Sequence, residues 1–497
     1  MSYLQSILVY IPAVAIGFLL VHLLWPERGL FALLFKFFLG IGAGLGLTSL
    51  LYFIILLVIP IGFPFLTLQI IILLILLFIT FRRERNMQYA TRNISSRSEA
   101  ERTPHVTHYL SLITYYLLLA SILITLASFI NFSIRRDQGA FDAWMIYNRA
   151  ARFIFRDPAN WQATLSPDLY WGFHADYPLL VSSNVAWAWA SLGTENIRVP
   201  LVQSGLFLFA CIGLLFTALA QVKGIGQASL AAIILMSISG FVRSGSGQIA
   251  DVPLMFYMLA SIATMSLRGA FSPEAIPSSA MMLLQKQSAK QSPSPAMGLL
   301  RFARSDVLIV ISGFMAGLAG WTKNEGLLFI AVSVVILFFV FARTKSLRSL
   351  IYFGLGLAFP VLIILYFKSI TPAGDLFSGS FADILTRITD LTRYLLILKS
   401  LGSEFLSFGG WPVPLLLFIV LLFFIFDSKL ETEIKQLFRA LSIILVLQLL
   451  GYLAIYLITP HDLSWQIDTA FDRNVLQIFP SFLFLFFASI RDFGSLS

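Results

Sequence analysis

Along most of the chain, apolar residues come in uninterrupted runs separated by short polar stretches. One run, YFIILLVIPIGFPFLTLQIIILLILLFIT at 52–80, is long enough to span hydrocarbon as helix. The same pattern predicts spans near 4–25, 31–58, 64–81, 109–131, 199–221, 226–242, 250–268, 306–321, 326–342, 351–367, 412–427, 439–459 and 475–490. A fourteenth segment, LLVSSNVAWAWASLG at 179–193, is short for a full crossing, which stays open as an alternative, and its tryptophan pair suits the membrane interface. It is expected to be re-entrant or to lie in that interface. The fold class expected is therefore an all-α polytopic membrane protein.

Composition agrees: 58% of the 497 residues are hydrophobic and only 12% are charged, outside the balance of a soluble domain. The net charge of +9 does not point to nucleic acid, because the basic residues gather in short loops between spans. Those loops are 82–105, 268–305 and 343–349, with Lys223, Lys429, Lys435 and Arg439 marking two more. The positive-inside rule assigns them to the cytoplasm. Cys211 is the only cysteine, which excludes an intrachain disulfide and a thiolate metal site. The N-terminus lacks a basic leader region and reads as a retained first span.

If 179–193 does not cross, five segments fall on the opposite, outer face: 132–178, 243–251, 322–325, 368–411 and 459–474. They carry most of the unusual polar residues. The stretch RRDQGAFDAWMIYNRAARFIFRDP at 135–158 has three aspartates and five arginines. As a helix from Asp142, it sets Trp144, Tyr147, Ala151 and Phe155 on one face, with Asn148, Arg149, Arg152 and Arg156 on the polar side, the pattern of a surface-lying helix. YWGFHADYPLLV offers His174 and Asp176 ahead of Pro178. GSGQIADVPLMFYML opens a span at Asp251, a few residues after Arg243. AGWTKNEGLLF puts Lys323 and Glu325 in a tight turn. HDLSWQIDTAFDRNVLQIFP supplies Asp472 and Arg473 ahead of the last span.

Taken singly, each cluster also reads as ordinary helix capping or a polar turn. Taken together, they place carboxylates, a lysine, an arginine and histidines on one face. A charge at a membrane edge must stay wet, cap a helix or face a polar cavity, since burial costs on the order of 2.5–3.5 kcal/mol. Such a cavity suits an anionic, lipid-borne substrate.

These motifs resemble those of the GT-C superfamily of polyprenyl-phosphate-sugar-dependent glycosyltransferases, nearest to the protein O-mannosyltransferase and lipid A aminoarabinose transferase type, the family 39-like group. FDAWMIYNRAARFIF resembles the family's first outer loop, with Asp142 where its catalytic carboxylate is expected and Asp137 as the competing candidate. HADYPLLV, ADVPLMFYML, GWTKNEGLLF and DRNVLQIFPSFLF are similar to later motifs of the family, in order along the chain. The resemblance implies a GT-C-type helical bundle with juxtamembrane helices in the first large outer loop. It implies three parts: extra N-terminal spans and a basic loop at 1–108, a catalytic module at 109–345, and a C-terminal module at 346–497. It further implies inverting transfer of a sugar from a polyprenyl-phosphate donor to an acceptor hydroxyl, outside the plasma (inner) membrane, with Asp142 as general base. Lys323 and Arg473 would receive the leaving phosphate, with Arg243 and His174 in reserve. Asp176 and Asp251 would position the acceptor or hold Mg²⁺ or Mn²⁺ through oxygen ligands. Glu325 and Asp472 complete the expected substrate contacts. The other partners are membrane lipids and a glycan, lipid or protein acceptor. Two other readings are a transporter or flippase for lipid-linked sugars, and a glycan polymerase or ligase using a polyprenyl-diphosphate donor.

Overall fold

The computed structural model describes residues 3–59, 64–91, 105–166, 168–169, 174–270, 295–344, 346–372, 380–411, 414–416, 419 and 432–491. Among them every regular element is a helix. In chain order these are α1 (Tyr3–Leu8), α2 (Ile11–Leu24), α3 (Leu30–Val58), α4 (Phe65–Thr91), α5 (His105–Arg135), α6 (Asn148–Arg156), α7 (Leu180–Leu192), α8 (Arg198–Lys223), α9 (Ile225–Ser237), α10 (Ser239–Ser246) and α11 (Asp251–Ala270). Then come α12 (Pro295–Thr322), α13 (Asn324–Arg343), α14 (Leu347–Ile370), α15 (Phe381–Thr389), α16 (Leu391–Ser407), α17 (Thr432–Ile458) and α18 (Leu463–Ser489). A π turn at Ala143–Tyr147 leads into α6, and a 3₁₀ segment at Pro158–Leu165 follows it.

Eight helices of the described residues are long and apolar enough to cross a membrane, and the bent α9–α10 pair would make a ninth. The chain is an all-α polytopic membrane protein. Two more expected spans are shorter apolar helices, Asp251–Leu267 and Asp306–Thr322. The span expected at 412–427 lies mostly outside the described residues. The one expected at 475–490 is only the second half of α18, which begins at Leu463. The polar residues before it hid a helix start that Asp462 caps by accepting from the Trp465 N–H.

Burial ranks the helices. Two-thirds of α3's apolar window is buried, whereas α4 and α5 bury only 17% of theirs. Leu74, Phe78, Ile124 and Ile134 on those outer helices point outward, as lipid contact allows. Close approach at the centre depends on glycine: a Cβ on Gly17 of α2 would overlap the Gly40 carbonyl and Gly44 of α3, the small-residue packing of helices in membranes.

One local expectation is corrected. The single span predicted at 226–242 is broken: α9 and α10 meet at 68°, across the extended residue Ile238 in a Ser-Ile-Ser-Gly stretch. The tryptophan pair of α7 packs inside the bundle: Trp187 and Trp189 are both in the core, with Trp187 edge-on to Tyr10. With 13 residues, α7 is about 20 Å long against a hydrocarbon core of about 30 Å. It starts just after Asp176. The next helix, α8, bonds Ser204 to the Gly245 carbonyl near Asp251, so the chain enters and leaves α7 at the same end of the bundle.

Candidate functional site

The site grows from one backbone contact. The Ala140 N–H donates to the Gly247 carbonyl at 2.9 Å, tying the stretch before Asp142 to the turn before Asp251. Gly139 takes φ +81, and a Cβ there would stand 2.6 Å from the same Gly247 carbonyl oxygen, so only glycine fits. Gln248 also holds a left-handed φ of 57. Its side chain donates to the Asp137 carbonyl at 3.1 Å and accepts from Asn148 at 3.3 Å. A strained residue of this kind, fastened on both sides, is a common mark of a functional turn.

Asp142 precedes the π turn and caps nothing with its side chain. Its carboxylate instead accepts from Arg473 Nη2 at 2.7 Å. The same nitrogen reaches Asp251 Oδ2 at 2.6 Å, with Arg473 Nε at 3.1 Å from that oxygen. The other oxygen of Asp251 accepts from Lys323 Nζ at 3.2 Å and from Gln477 Nε2 at 2.5 Å. Lys323 closes the chain on Glu325 at 2.6 Å. Four remote stretches thus meet in one cluster, with Asp251 completely buried and Asp142 and Arg473 a quarter exposed at its mouth.

Three carboxylates meet two cations there, leaving a formal charge of −1. Lys323 and Arg473 are consequently not spare cations, and an entering phosphate has to take one of them from a carboxylate. Burial alone would strip the charge from Lys323. Asp251 and Glu325 outweigh it and hold the ammonium pKa above the ordinary lysine value. The second oxygen of Glu325 is buried and receives no donor among the described residues.

A second polar knot adjoins the first. Asp176 accepts from Asn324 Nδ2 at 2.7 Å and from Lys368 Nζ at 3.2 Å, and Lys368 also donates to Asn324 Oδ1 at 2.7 Å. Asp176 therefore does not cap α7, whose first turn takes no side-chain cap. His174 stacks on Tyr177 with ring centroids 4.5 Å apart, and Lys323 sits 5.9 Å from the Tyr177 ring.

Asp142, Asp251, Lys323, Glu325 and Arg473 are brought together, with Asp176 and His174 alongside. Asp137, Arg243 and Asp472 are not. Asp137 is exposed and joins the turn through its backbone carbonyl. Arg243 is exposed and bonds Ser239. Asp472 turns outward, its carboxylate accepting from the Arg473 N–H. Arg473 is the eleventh residue of α18 rather than a helix entry, so adjacent residues point to different sides. The faces expected of the opening helix also shift, because the wider π turn changes the register. Trp144 is exposed while Asn148 is buried with Tyr147 and Ala151.

Sequence reasoning missed Gln477, Tyr452 and Lys368. Gln477 lies one turn after Arg473 and its Oε1 accepts from the buried Tyr452 hydroxyl at 2.7 Å. The available signal was a lone glutamine inside an apolar span, which needs a partner. For a divalent cation the fit is poor. Both oxygens of Asp251 accept from Lys, Arg or Gln, and among the described residues no three His, Cys, Asp or Glu side chains are grouped to hold a metal.

Fold and site together define a polytopic helical membrane protein with a buried ionic cluster at one end of its bundle. No family model, no curated protein and no solved structure matches the chain.

Proposed function

We propose that the chain is an integral membrane glycosyltransferase. It takes a sugar from a polyprenyl-phosphate donor and passes it to an acceptor hydroxyl on the extracytoplasmic face of the plasma membrane. The observation that supports this is the convergence of Asp142, Asp251, Lys323 and Arg473, from four separate stretches, at the end of the bundle away from the basic loops.

The paired state of Arg473 gives the mechanism its first step. The donor phosphate competes for the guanidinium, and Asp142 Oδ2 loses a partner. That carboxylate then accepts the proton of the acceptor hydroxyl. The hydroxyl oxygen bonds to the anomeric carbon from the face opposite the phosphate, the carbon–oxygen bond to phosphate breaks, and its electron pair leaves with polyprenyl phosphate. A positioned carboxylate contributes about 10²–10⁴-fold to such a step. Arg473 and Lys323 stabilise the departing anion most because water is largely excluded. Asp251 holds both cations and takes no proton.

A transporter of lipid-linked sugars is the second reading. The broken α9–α10 pair favours it, since interrupted helices beside a charged site are common in transporters. Membranes supplied with labelled lipid-linked sugar separate the two. A transferase releases one polyprenyl phosphate per sugar transferred, and Asp142→Asn slows that release about 10²–10⁴-fold. A transporter leaves the phosphate–sugar bond intact. Near-normal release by Asp142→Asn removes this residue from the base role.

A further inference from the structure

Beside the ionic cluster runs a crevice that the proposed chemistry does not use. The π turn forms one wall with Ile146 and Tyr147, the 3₁₀ segment contributes Thr164, and His174, Tyr177 and Ser182 complete it. Its volume is about 240 Å³ with its open mouth, and its enclosed part holds about one water molecule. Two of its lining residues carry fully buried hydroxyls: Tyr147 Oη and Thr164 Oγ1 have no hydrogen-bond partner among the described residues. A buried polar group left in that state destabilises the fold. Two such groups on one crevice, on separate elements, are expensive to keep unless something binds there.

The chemistry of that ligand follows from the lining. No carboxylate or lysine lines the crevice; beside the hydroxyl-bearing residues and His174 it presents aliphatic side chains. It matches a neutral group carrying its own hydroxyls. We propose that the crevice receives a hydroxyl-bearing arm of a carbohydrate, displacing water and hydrogen-bonding to Tyr147 and Thr164. This deepens the transferase reading and rests on it for the substrate's identity: the neutral sugar enters beside Tyr147 while the phosphate meets Arg473. The π turn serves both ends, because it follows directly on Asp142 and finishes at Tyr147.

The test uses the full chain in lipid nanodiscs with a panel of methyl glycosides as probes, read by thermal shift and by saturation-transfer NMR. At least one glycoside raises Tm saturably. Tyr147→Phe and Thr164→Val, which keep shape and remove only the polar atom or its equivalent, each weaken that binding about tenfold. Without glycoside, both variants melt at or above the wild-type temperature, because an unpartnered hydroxyl has been removed. The proposal is overturned if no glycoside binds saturably, which leaves an ordered water only. It is overturned equally if both variants bind as wild type. It also fails if both melt several degrees lower without probe, since the hydroxyls then have protein partners. Binding needs no turnover, so the two readings fail separately. A chain that binds glycoside but transfers nothing refutes the transferase and keeps the crevice. A chain that transfers with unchanged KM in both variants refutes the crevice and keeps the transferase.

Discussion

The two ends of the bundle use lysine and arginine in opposite ways. At the far end, Lys36 donates to the Glu27 carbonyl beneath Trp25, and Arg83 donates to the Leu23 carbonyl. There the cations satisfy carbonyls at and beyond the end of α2, and the helix dipole favours them. At the site end, Lys323 and Arg473 bond carboxylates drawn from other helices. A basic residue on a carbonyl anchors a helix end and asks nothing of distant sequence. A cation between carboxylates is an exchangeable pairing, which a competing anion can reopen. That difference is why chemistry is assigned to one end and orientation to the other.

The largest expected effect comes from cutting the centre of the exchangeable network. Asp251→Ala leaves Arg473 and Lys323 without their shared buried partner, a loss of about 3–5 kcal/mol. Thermal unfolding in detergent is expected to show a marked fall in Tm, together with loss of transfer. A Tm equal to wild type would mean that the cluster is not held by Asp251. Asp142→Asn comes next and separates catalysis from stability. Its transfer rate falls about 10²–10⁴-fold while Tm moves little, because the residue stands at the mouth. Parallel losses of both would make Asp142 structural.

At the other end, Lys36→Met sharpens the contrast. One hydrogen bond to a carbonyl is worth about 1 kcal/mol, so Tm falls slightly and transfer is unchanged. A loss of transfer like that of Asp142→Asn would erase the division between the ends. The smallest effect is pH-dependent and lies on the surface. Arg156 donates to Glu195 through two nitrogens and holds its carboxyl below the usual glutamate range. A depressed folded pKa means the contribution is present above the ordinary glutamate pKa and is lost as pH falls through the folded value. For an exposed pair it amounts to less than about 1 kcal/mol. Melting curves of wild type and Glu195→Gln are therefore separated at pH 7 and converge below pH 4. Curves that separate further in acid would reverse the sign.

Helical class and most spans were legible because twenty apolar residues in a row have few other folded uses. Asp142, Asp251, Lys323 and Arg473 were legible as charges stranded at span edges. Their pairing was not, because sequence spacing carries no distance between helices. The break at Ile238 and the π turn after Asp142 were hidden for a related reason: hydropathy is blind to a one-residue change in helical register. Asp472 and Arg473 show the limit most plainly. They are neighbours in the chain, and α18 sends one into the cluster and the other outward. Lys368 was passed over because a single lysine after an apolar run looks like any span terminus.

The central claim is that a lipid phosphate takes over the Arg473 pairing at the site end. A structure of the full chain in nanodiscs with a non-hydrolysable polyprenyl-phosphate sugar tests this directly. The account predicts the phosphate within hydrogen-bond reach of Arg473, with the anomeric carbon turned toward an Asp142 that has left the guanidinium. A phosphate bound among the basic residues near Arg83, with the Asp142–Arg473 bridge intact, would contradict it.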